Sequence, residues 1–202
     1  MKKTQFLSVA TACFALLGVM QPANAWAKSV GDKIKDSIDS AAESFKKGVD
    51  KLGDDFNAIQ DYLDHYHWRG LVEDKVTDGP ATLEYLTLNG HSKAIAVTPG
   101  QDIAAEVIAT LDPKKVDTLS FYRIVVGIPG EGPQAVIGNE IGFAAGRSEE
   151  RFFLKAPARP GIYHVCFRLV NTPLESTARE AWKDDKGYEP DTRSAIGIIV
   201  VK

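Results

Sequence analysis

The chain has 202 residues, with 24 basic and 27 acidic side chains, so its formal net charge at pH 7 is −3. This length supports one domain with a substantial core plus an appendage. The charge balance gives no basic surface for nucleic acid, so we set that class of partner aside.

Residues 1–25 have the three parts of a secretory signal peptide. Two lysines precede an uncharged and mostly apolar run, 6–20, and the segment ends in the small residues Ala23-Asn24-Ala25. The run is shorter than the roughly 20 apolar residues that a membrane-spanning helix needs. We therefore expect cleavage after Ala25 and export to the periplasm or out of the cell.

The two cysteines of the sequence are Cys13 and Cys166. Cys13 leaves with the predicted signal peptide, so the exported chain keeps Cys166 alone and has no internal disulfide. Packing must then stabilise the fold without a covalent link. A lone thiol in a strand is more often a small apolar residue than a reactive group.

Residues 26–70 are predicted to form a long amphipathic helix, running from Ser29 to about Trp68. Its apolar residues recur at alternating spacings of four and three, as in a coiled coil: Ile38, Ala42, Phe45, Val49, Leu52, Phe56, Ile59 and Leu63. Gly48 and Gly53 weaken such a rod, because each costs about 1 kcal/mol relative to Ala. The apolar stripe must be buried, either on the rest of the chain or in a homo-oligomer formed through the helix.

After a predicted linker at 71–80 the apolar period becomes two. We predict strands at 82–89, 93–98, 102–111, 119–128, 134–137, 150–156, 161–170 and 194–201, separated by turn residues such as Asn-Gly and Pro-Gly. Short strands with regular turns and no interleaved helices predict a mainly antiparallel β-sandwich over 81–202.

Two stretches of the sandwich carry a family resemblance: VTPGQDIAAEVIATL and APARPGIYHVCFRLV. They resemble, respectively, strand B and the E–F corner with strand F of bacterial secreted immunoglobulin-like or fibronectin-type-III-like domains, with Tyr163 as the corner tyrosine. Tyr163 lies three residues before Cys166 instead of two, and no second cysteine is present to bridge the sheets. The resemblance implies an α+β chain, a long N-terminal amphipathic helix followed by an immunoglobulin-like sandwich, and names no function.

The strand at 161–170 raises the question of a binding face. If Tyr163 points into the core, alternate residues share the outer face of the sheet. We expect these residues to be His164, Cys166 and Arg168, with Phe121 and Arg123 from the strand at 119–128 beside them. Such a face is either a mixed cationic and aromatic binding patch or a surface covered by the N-terminal helix, and the need to bury the helix stripe favours the second.

Neither a metal site nor a catalytic site follows from these residues. His65 and His67 could join His164 and Cys166 as ligands, but residues two apart on a helix point to different sides and neither pair has a zinc-site spacing. A catalytic base must lie within about 3 Å of its nucleophile and be oriented by a third group, and no such set is evident. We predict no metal, no other cofactor and no enzymatic activity.

The segment 171–194 is long for a sandwich connection and contains a predicted short helix, 174–182. Two large aromatic side chains and two arginines make it our preferred binding site: Trp182, Tyr188, Arg179 and Arg193. Trp182 could instead cover one open end of the sandwich, and we leave both interpretations open.

These patterns favour a non-catalytic, exported binding or structural protein, an immunoglobulin-like module with a helical segment for assembly or packing. Its partner would be a protein or a small ligand. One alternative is a membrane-surface protein that uses the amphipathic helix, although six lysines against nine acids in 26–66 oppose binding to anionic lipid. The other alternative is a small metal-binding or hydrolytic protein of the envelope.

Overall fold

The structure is a computed structural model that describes residues 39–65, 67–116, 121–138, 145–191 and 194–202. The chain divides after Ser37, and all the described residues belong to the second unit, Ile38–Lys202. The predicted signal peptide and the start of the predicted helix therefore lie outside the described residues, as does Arg193.

The described residues are mostly β-structure with three helical segments. The helices are α1 (residues 39–51), α2 (Phe56–Asp64) and α3 (Glu175–Glu180). The strands are β1 (Lys75–Asp78), β2 (Ala81–Leu88), β3 (His91–Ser92), β4 (Ala94–Val97), β5 (Asp102–Leu111), β6 (Tyr122–Ile128), β7 (Gly132–Ile137), β8 (Gly146–Lys155), β9 (Gly161–Asn171) and β10 (Ala195–Val201). Each of the eight predicted strands overlaps one of these, while β1 lies inside the predicted linker and β3 was not predicted.

The strands form two sheets. Sheet 1 has the order β1-β2-β5-β8, with β3 beside β2, and sheet 2 has the order β4-β10-β9-β6-β7. All the strand pairs are antiparallel except β4 with β10, which is parallel. The orders β2-β5-β8 and β10-β9-β6 resemble A-B-E and G-F-C of an immunoglobulin-like sandwich.

The first hydrophobic core lies between the two sheets. Alternate residues of β5 and β9 enter it, among them Ile103, Val107, Val165 and Phe167. Tyr163 packs against the same core, and its hydroxyl donates a hydrogen bond of 2.9 Å to the Arg159 carbonyl. This is the contact of a corner tyrosine, and it confirms the inward direction predicted for the odd-numbered residues of β9.

The single long helix predicted from the heptad pattern is wrong within the described residues, because the helix breaks at residues 52–55. Gly53 has a φ of +62°, a left-handed conformation that ends α1 and that glycine adopts without steric cost. The Asp55 carboxylate then caps α2 by accepting hydrogen bonds from the Asn57 and Ala58 amides at 3.0 and 3.1 Å. No helix among the described residues is long and apolar enough to cross a membrane.

A second hydrophobic core covers the outer face of sheet 2. The helices contribute Phe45, Val49, Ile59 and Leu63, and the sheet contributes Val125, Cys166, Ile198 and Val200. Gly48 allows the two helices to approach, because a Cβ at this position would lie 2.6 Å from Tyr62 Cζ. Of the seven stripe residues that the structure describes, Phe45, Val49, Ile59 and Leu63 are buried within the chain, and Ala42, Leu52 and Phe56 are half-buried.

Helix α2 also protects the edge of sheet 2. The Gln60 side chain accepts a hydrogen bond of 2.9 Å from the Ala96 amide and lies 3.5 Å from the Ala94 carbonyl, to which its amide donates. The carboxamide thus takes the place of a peptide group in a further strand beside β4. An edge strand covered in this way offers fewer unpaired groups to other chains.

The outer face of sheet 1 carries two exposed aromatic side chains. Phe153 on β8 is 73% exposed and Tyr85 on β2 is 67% exposed. Tyr85 lies at a bulge where the pairing of β2 with β5 shifts, and its φ is +58°. Bulges redirect side chains, and this bulge directs the Tyr85 ring to solvent.

Candidate functional site

The outer face of β9 is divided between the second core and a cleft. Cys166 belongs to the core, where its thiol donates a hydrogen bond of 3.3 Å to the Asp191 carbonyl. Burial raises the pKa of the Cys166 thiol to about 12. The thiol is therefore neutral at physiological pH and is a poor nucleophile.

Two cavities flank the stretch from Glu189 to Asp191, where it crosses the outer side of β9. The first, called here the Arg168 cavity, has a volume of about 570 Å³. The second, the His164 cavity, has a volume of about 370 Å³. Both cavities are lined by Glu189, Pro190 and Asp191, and we call the pair the β9 cleft.

The Arg168 cavity brings together two of the predicted binding residues. The Arg168 guanidinium donates hydrogen bonds to the Ala181 carbonyl at 3.1 Å and the Tyr188 carbonyl at 3.5 Å, which holds the 181–188 segment against β9. Tyr188 lines the cavity and is 67% exposed, so its ring remains available for contact.

Carboxylates dominate the charge of the Arg168 cavity. Its lining includes Asp78, Asp184, Glu189 and Asp191 against the single guanidinium of Arg168. Asp78 accepts a hydrogen bond of 2.8 Å from the Leu169 amide. Asp184 accepts two, from the Lys186 and Tyr188 amides at 2.8 and 2.9 Å, so these two carboxylates are held in place.

Glu189 contacts both the β6–β7 turn and Lys183 from its position in the cleft. Its carboxylate accepts a hydrogen bond from the Gly130 amide in the β6–β7 turn and lies 3.4 Å from the Lys183 ammonium. Lys183 therefore offsets part of the negative charge, and the cleft as a whole remains acidic. An acidic cavity with an exposed tyrosine ring is suited to a positively charged ligand.

His164 lines the second cavity together with Tyr163 and Pro129. Burial lowers the pKa of the His164 imidazole, which keeps the ring neutral at pH 7. The Cys166 thiol donates to a main-chain carbonyl instead of to this ring. His164 therefore contributes a polar wall to the cavity and forms no catalytic pair with Cys166.

Three other predicted binding residues, Trp182, Arg123 and Arg179, make packing or hydrogen-bond contacts within the chain. Trp182 is 1% exposed and belongs to the second core, where a Cβ on Gly127 would lie 2.9 Å from its ring. It fills space on the outer face of sheet 2 and does not cover an open end of the sandwich. The Arg123 guanidinium donates to the Pro173 carbonyl at 2.7 and 3.3 Å. Arg179 pairs with Glu175 at 2.9 Å within α3 and donates a hydrogen bond of 3.3 Å to the Gln134 carbonyl of β7.

Phe121 lies outside the cleft, and Arg193 lies outside the described residues. Phe121 is 40% exposed and does not line either cavity, and its amide donates a hydrogen bond of 3.1 Å to the Asn171 side chain at the far end of β9. The cleft therefore contains Arg168, Tyr188 and His164 from the predicted set.

The four residues considered as metal ligands are also separated. His65 ends α2 as its C-cap, where a hydrogen bond to the Asp61 carbonyl and the Asp61 charge raise the pKa of its imidazole. The His67 ring stacks on Tyr62 at a centroid distance of 4.0 Å. Among the described residues, no group of three or more His, Cys, Asp or Glu side chains is placed to hold a metal ion.

Sequence reasoning missed the acidic wall of the cleft. Asp78 comes from β1, a strand inside the predicted linker, and reaches β9 only through the tertiary fold. Glu189 and Asp191 follow Tyr188 directly and belong to the segment that we singled out. The clustering of acids in KDDKGYEPD was a usable signal, since it flanks the aromatic residue.

Comparisons with known proteins add little to this geometry. No family model matches the sequence, and no curated protein matches it. Among solved structures, the chain is similar to the CARDB domain of a protein from Pyrococcus furiosus, determined by solution NMR. The two chains share 11% identity over 60% of this chain and 94% of that chain, with a TM-score of 0.32. A likeness of this size decides neither family nor function.

Proposed function

We propose that this chain is a non-catalytic, exported binding protein of the cell envelope that takes a small organic cation in the β9 cleft. The observation that carries the proposal is the Arg168 cavity of about 570 Å³, whose lining includes four acidic residues, one arginine and Tyr188 with its exposed ring. Ligand-binding cavities of this size accept small molecules. Export rests on the signal-like segment 1–25.

The chemistry of Cys166 supports a binding role over a catalytic one. A nucleophile must be ionised or have a base within hydrogen-bonding reach. The Cys166 thiol has a pKa of about 12 and donates its hydrogen bond to a carbonyl. Hydrolysis through this residue therefore has no support.

The packing of the helices argues for a structural role of the N-terminal segment. A protein that lies on a membrane surface needs an exposed apolar helix face. Phe45, Val49, Ile59 and Leu63 are each at most 3% exposed, because they pack on sheet 2. These four side chains are therefore not exposed for insertion into a membrane surface, which supports the packing role over the membrane-surface alternative.

Charge and aromatic character together define the expected ligand. The carboxylates attract a cation, and the face of the Tyr188 ring adds a cation–π contact of about 0.5–2 kcal/mol. We expect choline, putrescine or arginine methyl ester to stabilise the chain. At a concentration about tenfold above the dissociation constant, such a ligand raises the melting temperature by about 3–6 °C. A thermal-shift titration of the chain from Trp26 onward measures this effect.

Two variants make the titration specific to the cleft. Tyr188→Ala removes the exposed ring and should abolish most of the shift. Leu174→Ala removes another exposed side chain, 60% exposed and absent from the lining of the cleft, and should retain the shift. The proposal fails if glucose or succinate stabilises the chain as well as the cations do, or if Tyr188→Ala leaves the shift intact.

A further inference from the structure

Among the residues that the structure describes, strand β8 is an outer strand of sheet 1 and pairs with β5 alone. Its ten residues, Gly146–Lys155, align with β5 without a bulge from end to end. Sheet 2 ends in shorter strands, the four-residue β4, which is covered by the Gln60 side chain, and the six-residue β7. A straight edge of this length is a template for pairing with another strand.

The main-chain groups at this edge belong to the odd-numbered residues. The Lys155 amide donates to the Gln134 side chain, away from β5, whereas the next amide, of Ala156, donates toward β5 to the Gln101 carbonyl. Because the direction of main-chain groups alternates along a strand, residues 147, 149, 151 and 153 direct their amides and carbonyls to the outer edge.

The same odd-numbered residues place their side chains on the outer face of sheet 1. Arg147, Glu149, Arg151 and Phe153 are all exposed. Along the edge, the side chains are therefore basic, acidic, basic and aromatic, in that order. When two such strands pair in antiparallel fashion, the acidic residue of each strand can face a basic residue of the other. The aromatic residue of each strand can likewise face a basic residue.

We propose that β8 docks a second copy of this chain by antiparallel pairing, with the two-fold axis at Glu150. In this register Glu149 lies opposite the partner's Arg151, and Arg147 lies opposite the partner's Phe153. Each contact occurs twice because a two-fold interface is self-complementary. The dimer joins two copies of sheet 1 into one continuous sheet.

The pairing gives hydrogen-bond partners to the outward main-chain groups of β8 and covers Phe153, the largest apolar side chain at this edge. Each of the four odd-numbered residues exchanges two hydrogen bonds with its partner, which gives about eight main-chain bonds. Phe153, which is 73% exposed in the monomer, packs under an arginine in a cation–π contact. Arg151 already lies 3.0 Å from Glu106 and gains a second carboxylate.

The axis also places Glu150 opposite the partner's Glu150 on the inner side of the strand. Like charges directly opposite each other weaken a strand pair. The Glu150 carboxylate accepts a hydrogen bond of 2.7 Å from the Ser148 hydroxyl within its own chain, a contact that is already present in the monomer. Glu150→Gln should therefore strengthen the dimer, an effect that other registers do not produce.

Analytical ultracentrifugation of the chain from Trp26 onward tests the proposal over a concentration series up to about 1 mM. We expect a dimer with a dissociation constant on the order of 10–100 µM. Glu149→Arg and Arg151→Glu each oppose like charges twice, and each should weaken the dimer at least about tenfold. The double variant E149R/R151E restores opposite charges and should return the constant to within about threefold.

The controls separate docking from unfolding. Lys51→Glu reverses an exposed charge at the end of α1, which packs on sheet 2 and not on sheet 1, and should leave the dissociation constant unchanged. If a charge variant fails to fold, Phe153→Ala carries the test, because it should weaken the dimer without altering any charge. A chain that stays monomeric at 1 mM, or a double variant no tighter than the single ones, overturns the proposal. Cation binding in the β9 cleft is unaffected by either result.

Discussion

Replacing Leu63 by Ala should lower the free energy of unfolding by about 2–5 kcal/mol. Leu63 has no exposed surface and lies in the second core between α2 and sheet 2. The substitution removes apolar contacts and leaves a cavity, because well-packed surroundings relax only in part. Urea denaturation followed by circular dichroism measures the loss as a shift in the midpoint.

Leu174→Ala provides the matched control for this prediction. Leu174 is 60% exposed, so the same chemical change should alter stability by at most about 0.5 kcal/mol. If both leucine variants unfold at the same urea concentration, the helices do not pack on sheet 2 in solution. An early unfolding transition in which only the helical circular dichroism signal is lost would also contradict a core shared by the helices and the sheet.

Trp182→Ala should cost about 3–5 kcal/mol, which places it among the most damaging single changes in the chain. The indole ring is 1% exposed and packs in the second core beside Ala178. The ring anchors the 181–188 segment in the second core, so its loss should also change the shape of the β9 cleft. Thermal denaturation should show a decrease in melting temperature of about 6–20 °C.

Tyr188→Ala tests the opposite expectation for the neighbouring aromatic residue. Its ring is 67% exposed, so stability should change little while cation binding is lost. Equal destabilisation by the two aromatic substitutions would mean that Tyr188 is also a packing residue. Loss of cation binding with unchanged stability would place Tyr188 in the binding surface.

The sequence predicted the strands better than it predicted the helices. The predicted strand at 102–111 coincides with β5, because the alternation of apolar and polar residues there reports one buried and one exposed face. The helix break escaped detection because the four-and-three spacing continues across it. The local signals of the break are Gly53, which ends α1 in a left-handed conformation, and Asp55, which is the N-cap of α2. The spacing of apolar residues does not reveal either signal.

The candidate site could be predicted only in part, because its walls come from distant segments. Arg168 and Tyr188 were chosen from one strand and one loop, and the fold brings them into one cavity. Asp78 accepts a hydrogen bond from the amide of Leu169, 91 positions later in the chain, and no pattern in one sequence reveals that pairing. Trp182 is buried because Gly127 leaves room for its ring, which is likewise a tertiary fact.

The central claim is that α1, α2 and Trp182 form one core with the outer face of sheet 2, and Cys166 is buried in that core. In the chain from Trp26 onward, Cys166 is the single thiol. A pKa of about 12 reduces the thiolate fraction at pH 8 on the order of a thousandfold relative to an exposed cysteine. The measurement is the rate of reaction of Cys166 with a thiolate-specific disulfide reagent, in buffer and in urea. The structure predicts a rate in buffer at least about 100-fold below that of the unfolded chain, whereas rates within about threefold of each other would contradict it.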